Sequence, residues 1–210
     1  MSFRGALEKA KDVDIKLSYQ LFKLYPKEKR FQKILRALEW SCHGIPWFIA
    51  VFSFLLMNPK SQLLGQLLVG LLLDITVVAV TKALARRRRP TYSGQEDQLI
   101  VVSVDKHSFP SGHASRAIYV AILMHEAGSI FSMIVWIWAL AVVFSRIFLG
   151  RHHVADVMAG FLVANFVYNL QFAFHGLVNK MVLGVLVHHF VDPNDSNGGD
   201  SLGVKIDDSD

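Results

Sequence analysis

A chain of 210 residues fits one domain, and its 52% hydrophobic content with a mean hydropathy of +0.36, laid out in runs, argues against an ordinary soluble fold. Cys42 is the only cysteine, which excludes an internal disulfide. The net charge of +5 is uneven: ten Lys or Arg precede position 44, beside apolar segments, which points to a membrane surface rather than to nucleic acid.

The first residues carry no signal-peptide pattern, so targeting is expected from the first spanning segment. Residues 1–25 place Val13, Leu17, Leu21 and Leu24 on one helical face, and Pro26 suits the first turn of a second helix. That second stretch, Lys27 to Trp40, opposes Phe31, Ile34, Leu35 and Leu38 to Lys29, Arg30, Lys33 and Arg36. This is the pattern of a helix lying on anionic lipid; a solvated helix packed on a partner is the alternative. Gly44 to Met57 is uncharged but short for a span unless Trp40 and its neighbours contribute. Leu63 to Thr81 is long enough, and Asp74 within it reads as a structural hydrogen-bonding group before a functional one.

A polar segment, Lys82 to His113, contains Arg86, Arg87, Arg88, Arg89 and Pro90. Ala114 to Ala127 is apolar again, Gly128 and Ser129 mark a turn, and Ile130 to Leu149 and Val157 to Phe174 read as further spans. Gly176 to Phe190, with Asn179, Lys180, His188 and His189, reads as a short last span or an interfacial segment, and the tail from Asp192 to Asp210 is too polar to order itself. The expectation is an all-α integral membrane helical bundle of about five to six spans with an N-terminal amphipathic interfacial helix. Its divisions are a basic segment 1–43, a membrane domain 44–191 and an acidic tail 192–210. If the spans alternate, residues 1–43, 82–113 and 145–156 share one face, and their positive charge places that face in the cytosol.

Three polar pieces meet there. The first is Lys82 and, after six intervening residues, Arg89-Pro90; the second is Pro110-Ser111-Gly112-His113; the third is Ser145-Arg146, then His152 and Asp156. Phosphate chemistry needs fixed charge around the breaking P–O bond. Lys82, Arg89 and Arg146 can supply it, the arginines by bidentate contact. Ser111 and Gly112 open the helix that follows, where backbone amides favour an anion. His113 could protonate the departing oxygen, and His152 could attack phosphorus with Asp156, four residues on, orienting its ring. His153 is the competing nucleophile. Arg86, Arg87 and Arg88 read as lipid-surface charges, so Arg87→Ala is expected to spare most activity.

Together the pieces resemble the signature of the type 2 phosphatidic acid phosphatase superfamily, which includes the lipid phosphate phosphatases and the vanadium haloperoxidases. The resemblance covers residues 60–175 and selects His152 over His153. It implies a phosphohistidine on His152 followed by hydrolysis, with no metal and no cofactor, and an endoplasmic reticulum or nuclear envelope location. The stretch from Ser103 to Phe109 looks like the presqualene diphosphate phosphatase branch, which implies farnesyl, geranylgeranyl or presqualene diphosphate as substrate. Phosphatidate, lysophosphatidate and sphingoid-base phosphates are the alternative substrates. The alternative to an enzyme is a catalytically silent membrane scaffold. The partners expected are the bilayer and a phosphorylated lipid, not nucleic acid.

Overall fold

The computed structural model describes residues 3–25, 28–92 and 107–190, the last helix beyond Ala173 as backbone only. Pro26, residues 103–106 of the branch-like stretch and the tail 192–210 lie outside the described residues. Seven helices follow in order: α1 (Phe3–Leu24), α2 (Lys29–Ser41), α3 (Gly44–Met57), α4 (Gln62–Ala85), α5 (Gly112–Glu126), α6 (Ser132–Phe148) and α7 (Val154–Phe190), with no strand among the described residues. The all-α membrane architecture is the one the apolar runs suggest.

Helix α5 is the axis of the bundle. Ala114, Ala117, Ile118, Tyr119, Val120, Ala121 and Leu123 are all buried, as a helix packed on several sides must be, and Ser115 and Arg116 are buried with them. Val142 of α6 and Ala164 and Val167 of α7 close the same core around it. Tyr119 occupies the space that Gly70 of α4 leaves open: a Cβ there would lie 1.8 Å from the Tyr119 hydroxyl. The outer helices turn apolar side chains outward, among them Leu72 and Val80 of α4, Ile134 and Ile137 of α6, and Leu162 and Phe166 of α7. A soluble monomer does not expose such faces; a bilayer covers them.

Helix α4, at 24 residues, is about 36 Å long, enough to cross the hydrocarbon. Among the described residues, α4 and Val154–Ala173 of α7 are long and apolar enough to span, and a third span results if α2 and α3, bent by 48°, form one. Five are reached by adding α5 and α6, whose 15 and 17 residues are shorter than the hydrocarbon core. The bend between α2 and α3 is held by Trp47 Nε1, which donates to Ser41 O at 2.8 Å, and by Trp138 Nε1, which donates to Ser41 Oγ at 2.9 Å. No turn sets Gly176–Phe190 apart: its backbone continues α7.

Asp74 is a buried hydrogen-bonding group, as its position suggested. It accepts from Ser115 Oγ and faces Arg116 Nη2 at 3.6 Å, while Arg116 Nη1 donates to Cys42 O at 3.0 Å. Helix α1 is less expected. Val13, Leu17 and Leu24 point away from the protein, and the face turned inward carries Asp14, Ser18, Leu21 and Tyr25.

Candidate active site

Each polar piece sits where a helix ends or begins. In the last turn of α4, Lys82 is buried and its Nζ donates to His107 O at 3.1 Å. Arg86 then takes a left-handed conformation (φ 47°) and closes the helix through its N–H to Lys82 O. The returning strand of chain lies alongside: Ser108 N–H donates to Arg87 O at 2.9 Å, and Ser108 Oγ donates to Arg88 O at 3.0 Å. Ser111 caps α5, its Oγ accepting from Ala114 N–H at 3.4 Å.

The third piece is shaped by one carbonyl. Arg146 O, at the end of α6, accepts from Arg151 N–H at 3.0 Å and His152 N–H at 3.2 Å, with Gly150 at φ 66° making the reversal. The five-residue spacing thereby brings His152 back beside Arg146. Helix α7 begins next, and Asp156 Oδ2 reaches back to His153 N–H at 2.8 Å, as a capping-box acid does. Ser111 N–H donates to Asp156 O at 2.9 Å and ties the starts of α5 and α7 together. Arg89 Nη1 donates to Arg151 O at 3.4 Å, so all three pieces lie at one end of the bundle.

His152 is buried, and its Nδ1 lies 2.7 Å from Ser108 O. A carbonyl only accepts, so Nδ1 carries the proton and Nε2 keeps the lone pair. Burial, with Arg89, Arg146 and Lys82 close by, holds its pKa well below the usual imidazole range, so the ring is neutral. His113 is half-buried, its Nε2 is shut away from solvent without a hydrogen-bond partner, and Arg146 and Lys82 act on it as on His152. Arg146 and Lys82 thus lie close enough to act electrostatically on both imidazoles. Arg146 is 1% exposed; its Nη1 lies 2.8 Å from Glu39 Oε1 of α2, a close ion contact without hydrogen-bond alignment. Arg151 Nε approaches the same oxygen at 3.7 Å.

Two expectations change. Asp156 Oδ2 is 3.9 Å from His152 Nδ1, too far for a hydrogen bond, and the direct acceptor for that nitrogen is the Ser108 carbonyl. Arg87 is not a lipid-surface charge: its side chain is 18% exposed, with Nη1 on Asp156 Oδ1 at 2.8 Å and Nη2 on Asp14 Oδ2 at 2.5 Å. Arg86 and Arg88 are exposed, as expected of surface cations. Ser108, Glu39, Asp14 and Ser18 were not foreseen, and none of them belongs to the spaced pieces.

Comparisons with known proteins place the chain in a family and give its fold known counterparts. The description of the PAP2 superfamily matches residues 63–180. The chain is 38% identical over 155 residues to a probable lipid phosphate phosphatase beta of Arabidopsis thaliana, covering 60% of this chain and 72% of that protein. It is 25% identical over 130 residues to an undecaprenyl-diphosphatase of Sulfolobus acidocaldarius, covering 57% of this chain and 59% of that one. Its fold is similar to that of Aquifex aeolicus LpxE, with a TM-score of 0.61 at 20% identity over 75% of this chain and 95% of the other. It is also similar to a PAP2-type phosphatidylglycerolphosphate phosphatase of Bacillus subtilis, with a TM-score of 0.63 at 20% identity over 80% and 87%.

Proposed function

The chain belongs to the PAP2 superfamily, and from that membership we propose that it hydrolyses isoprenoid diphosphates at a membrane surface, through a phosphohistidine on His152 and without a metal. That it is a lipid phosphate phosphatase rests on the family and its relatives. The observation that supports the mechanism is the buried His152, its Nδ1 on Ser108 O and its Nε2 left with a lone pair, with the unpartnered Nε2 of His113 under the influence of the same cations, Lys82 and Arg146.

Lys82, Arg89 and Arg146 hold the phosphate oxygens, with Ser111 and Gly112 at the start of α5. His152 Nε2 attacks phosphorus with its lone pair; the N–P bond forms as the P–O bond to the lipid breaks. The incoming anion offsets the surrounding cations, which lets His113 hold the proton that it passes to the departing oxygen. Water then attacks the phosphohistidine. His113 takes the water's proton, the N–P bond breaks, and phosphate leaves with the lone pair returned to His152. Asp156 acts on this sequence by fixing the start of α7 and pairing with Arg87.

Diphosphates are favoured by the stretch ending at Phe109 and by the likeness to an undecaprenyl-diphosphatase. Monoesters such as phosphatidate are the second reading, favoured by the likeness to a lipid phosphate phosphatase. The cytosolic orientation rests on the ten cations before position 44 and an endoplasmic reticulum or nuclear envelope location on family likeness. The test is phosphate release by purified protein in detergent with a chelator, from farnesyl diphosphate, farnesyl monophosphate and phosphatidate. Wild type should prefer the diphosphate, and His152→Ala should abolish release from all three. Full activity in His152→Ala overturns the mechanism, and preference for phosphatidate overturns the substrate.

A further inference from the structure

We propose that Asp14 and Ser18 of α1 are positioning residues of this reaction: from outside the family domain they cap the start of α7 and hold the Arg87–Asp156 pair beside the nucleophile. The inference rests on His152 being that nucleophile.

The first amides of a helix have no partner within it. In α7 those of Val154 and Ala155 are satisfied by another helix. Val154 N–H donates to Ser18 Oγ at 2.9 Å, and Ala155 N–H donates to Asp14 Oδ1 at 2.9 Å. The residue at the cap position, His153, has no side-chain oxygen, so the local sequence cannot do this itself. Ser18 is fully buried and is aimed by its own hydroxyl proton, which goes to Asp14 O at 2.6 Å. The other oxygen of Asp14 meets Arg87 Nη2 at 2.5 Å, and Arg87 Nη1 meets Asp156 Oδ1 at 2.8 Å.

One guanidinium thus bridges two carboxylates, and both carboxylates bind backbone amides at the start of α7. His152 is the residue before that start. Its ring direction is set by Ser108 O, and Ser108 is itself bonded to Arg87 O. Apart from the backbone bond of His152 N–H to Arg146 O, the connections that fix His152 pass through Arg87 or the α7 cap, and α1 contacts both. None of these contacts reaches Lys82 or Arg146, so α1 governs where the nucleophile stands and not how the phosphate is held.

The test uses the full-length chain in detergent, comparing wild type with Ser18→Ala, Ser18→Thr, Asp14→Ala and Asp14→Asn. The readouts are kcat, KM, inhibition by inorganic phosphate, melting temperature and the phosphoenzyme trapped by acid-free quench of labelled substrate. Ser18→Ala and Asp14→Ala should each lower kcat by about tenfold or more and lower the trapped phosphoenzyme in step. KM and phosphate inhibition should stay within about twofold of wild type, since the cradle is untouched. Ser18→Thr, which keeps the acceptor, should restore most of kcat. Asp14→Asn, which keeps the cap but not the charge on Arg87, should fall between.

Wild-type kcat in Ser18→Ala overturns the proposal, even if Asp14→Ala fails to accumulate. So does a kcat loss that merely follows the folded fraction, or one matched by an equal loss of phosphate affinity. An active His152→Ala would remove the mechanism beneath it, whereas an inactive His152→Ala beside a normal Ser18→Ala would remove this inference alone.

Discussion

The contact between α5 and α7 at the site gives a sharp prediction through Gly160. A Cβ on Gly160 would lie 2.8 Å from Ser111 O, 3.0 Å from Ala114 Cβ and 3.1 Å from Ser115 N. Two of these neighbours are backbone atoms at the start of α5 and cannot rotate away. Ordinary contact begins at 3.4 Å, so Gly160→Ala must part the two helices by about 0.6 Å at this point. Overpacking of this kind costs about 1–3 kcal/mol, while replacing helical Gly by Ala returns about 0.8–1 kcal/mol. The net loss of stability is therefore small, about 0–2 kcal/mol. The activity should suffer more. The displaced atoms flank Ser111, whose N–H is bonded to Asp156 O, and the shift separates His113 from His152. A misplacement of about 1 Å can cost about a hundredfold, so about 0.6 Å should lower kcat roughly tenfold. Phosphate release and thermal melting of the same preparation measure both quantities, with Gly5→Ala, which meets nothing within 4 Å, as the control. Wild-type kcat in Gly160→Ala with an unchanged melting temperature would refute the claim that this crossing sets the distance between the imidazoles.

Two further predictions concern charge. His152 is held below the ordinary imidazole value, so it should stay neutral near pH 6, where exposed histidines are partly protonated, as nitrogen-resolved NMR of labelled histidine would show. The unfolded chain binds that proton at higher pH than the folded one, so the stability His152 contributes is full above about pH 6.5 and is lost as pH falls towards its folded value; a melting temperature indifferent to acidification in His152-containing protein and lowered in His152→Gln would contradict this. Glu39 lies on Arg146, one of the proposed phosphate ligands, and so competes with the ligand's charge. Glu39→Gln should therefore strengthen inhibition by inorganic phosphate several-fold, and weaker inhibition would show that Glu39 positions Arg146 instead.

Much of the architecture was legible because apolar runs and charged junctions separate cleanly in a membrane chain. Leu63 to Thr81 lies inside α4, and Ala114 to Ala127 nearly coincides with α5. The convergence of Lys82, Arg89, His113, Arg146 and His152 was legible from spacing, since helices of similar length return the chain to the same end. What spacing could not give is contact made by backbone or from far away. The orienting group of His152 is the Ser108 carbonyl, which every residue type possesses equally. Asp14 meets Ala155 across 141 positions, and nothing in an i, i+4 pair of Asp and Ser on a basic helix distinguishes that role from solvation. Arg87 was misread because three neighbours of the same type surround it, and only the left-handed turn at Arg86 decides which one points inward.

The three pieces sit at the ends of α4, α5, α6 and α7, not halfway along them. A lipid can present its phosphate at that level with its tail still in the leaflet. Drawing the tail into water would cost about 0.8 kcal/mol for each methylene, more than the phosphate contacts could recover for a long chain. A lipid substrate held at that level would reach the site by lateral diffusion, and the depth at which its headgroup rides would matter more to turnover than the length of its tail.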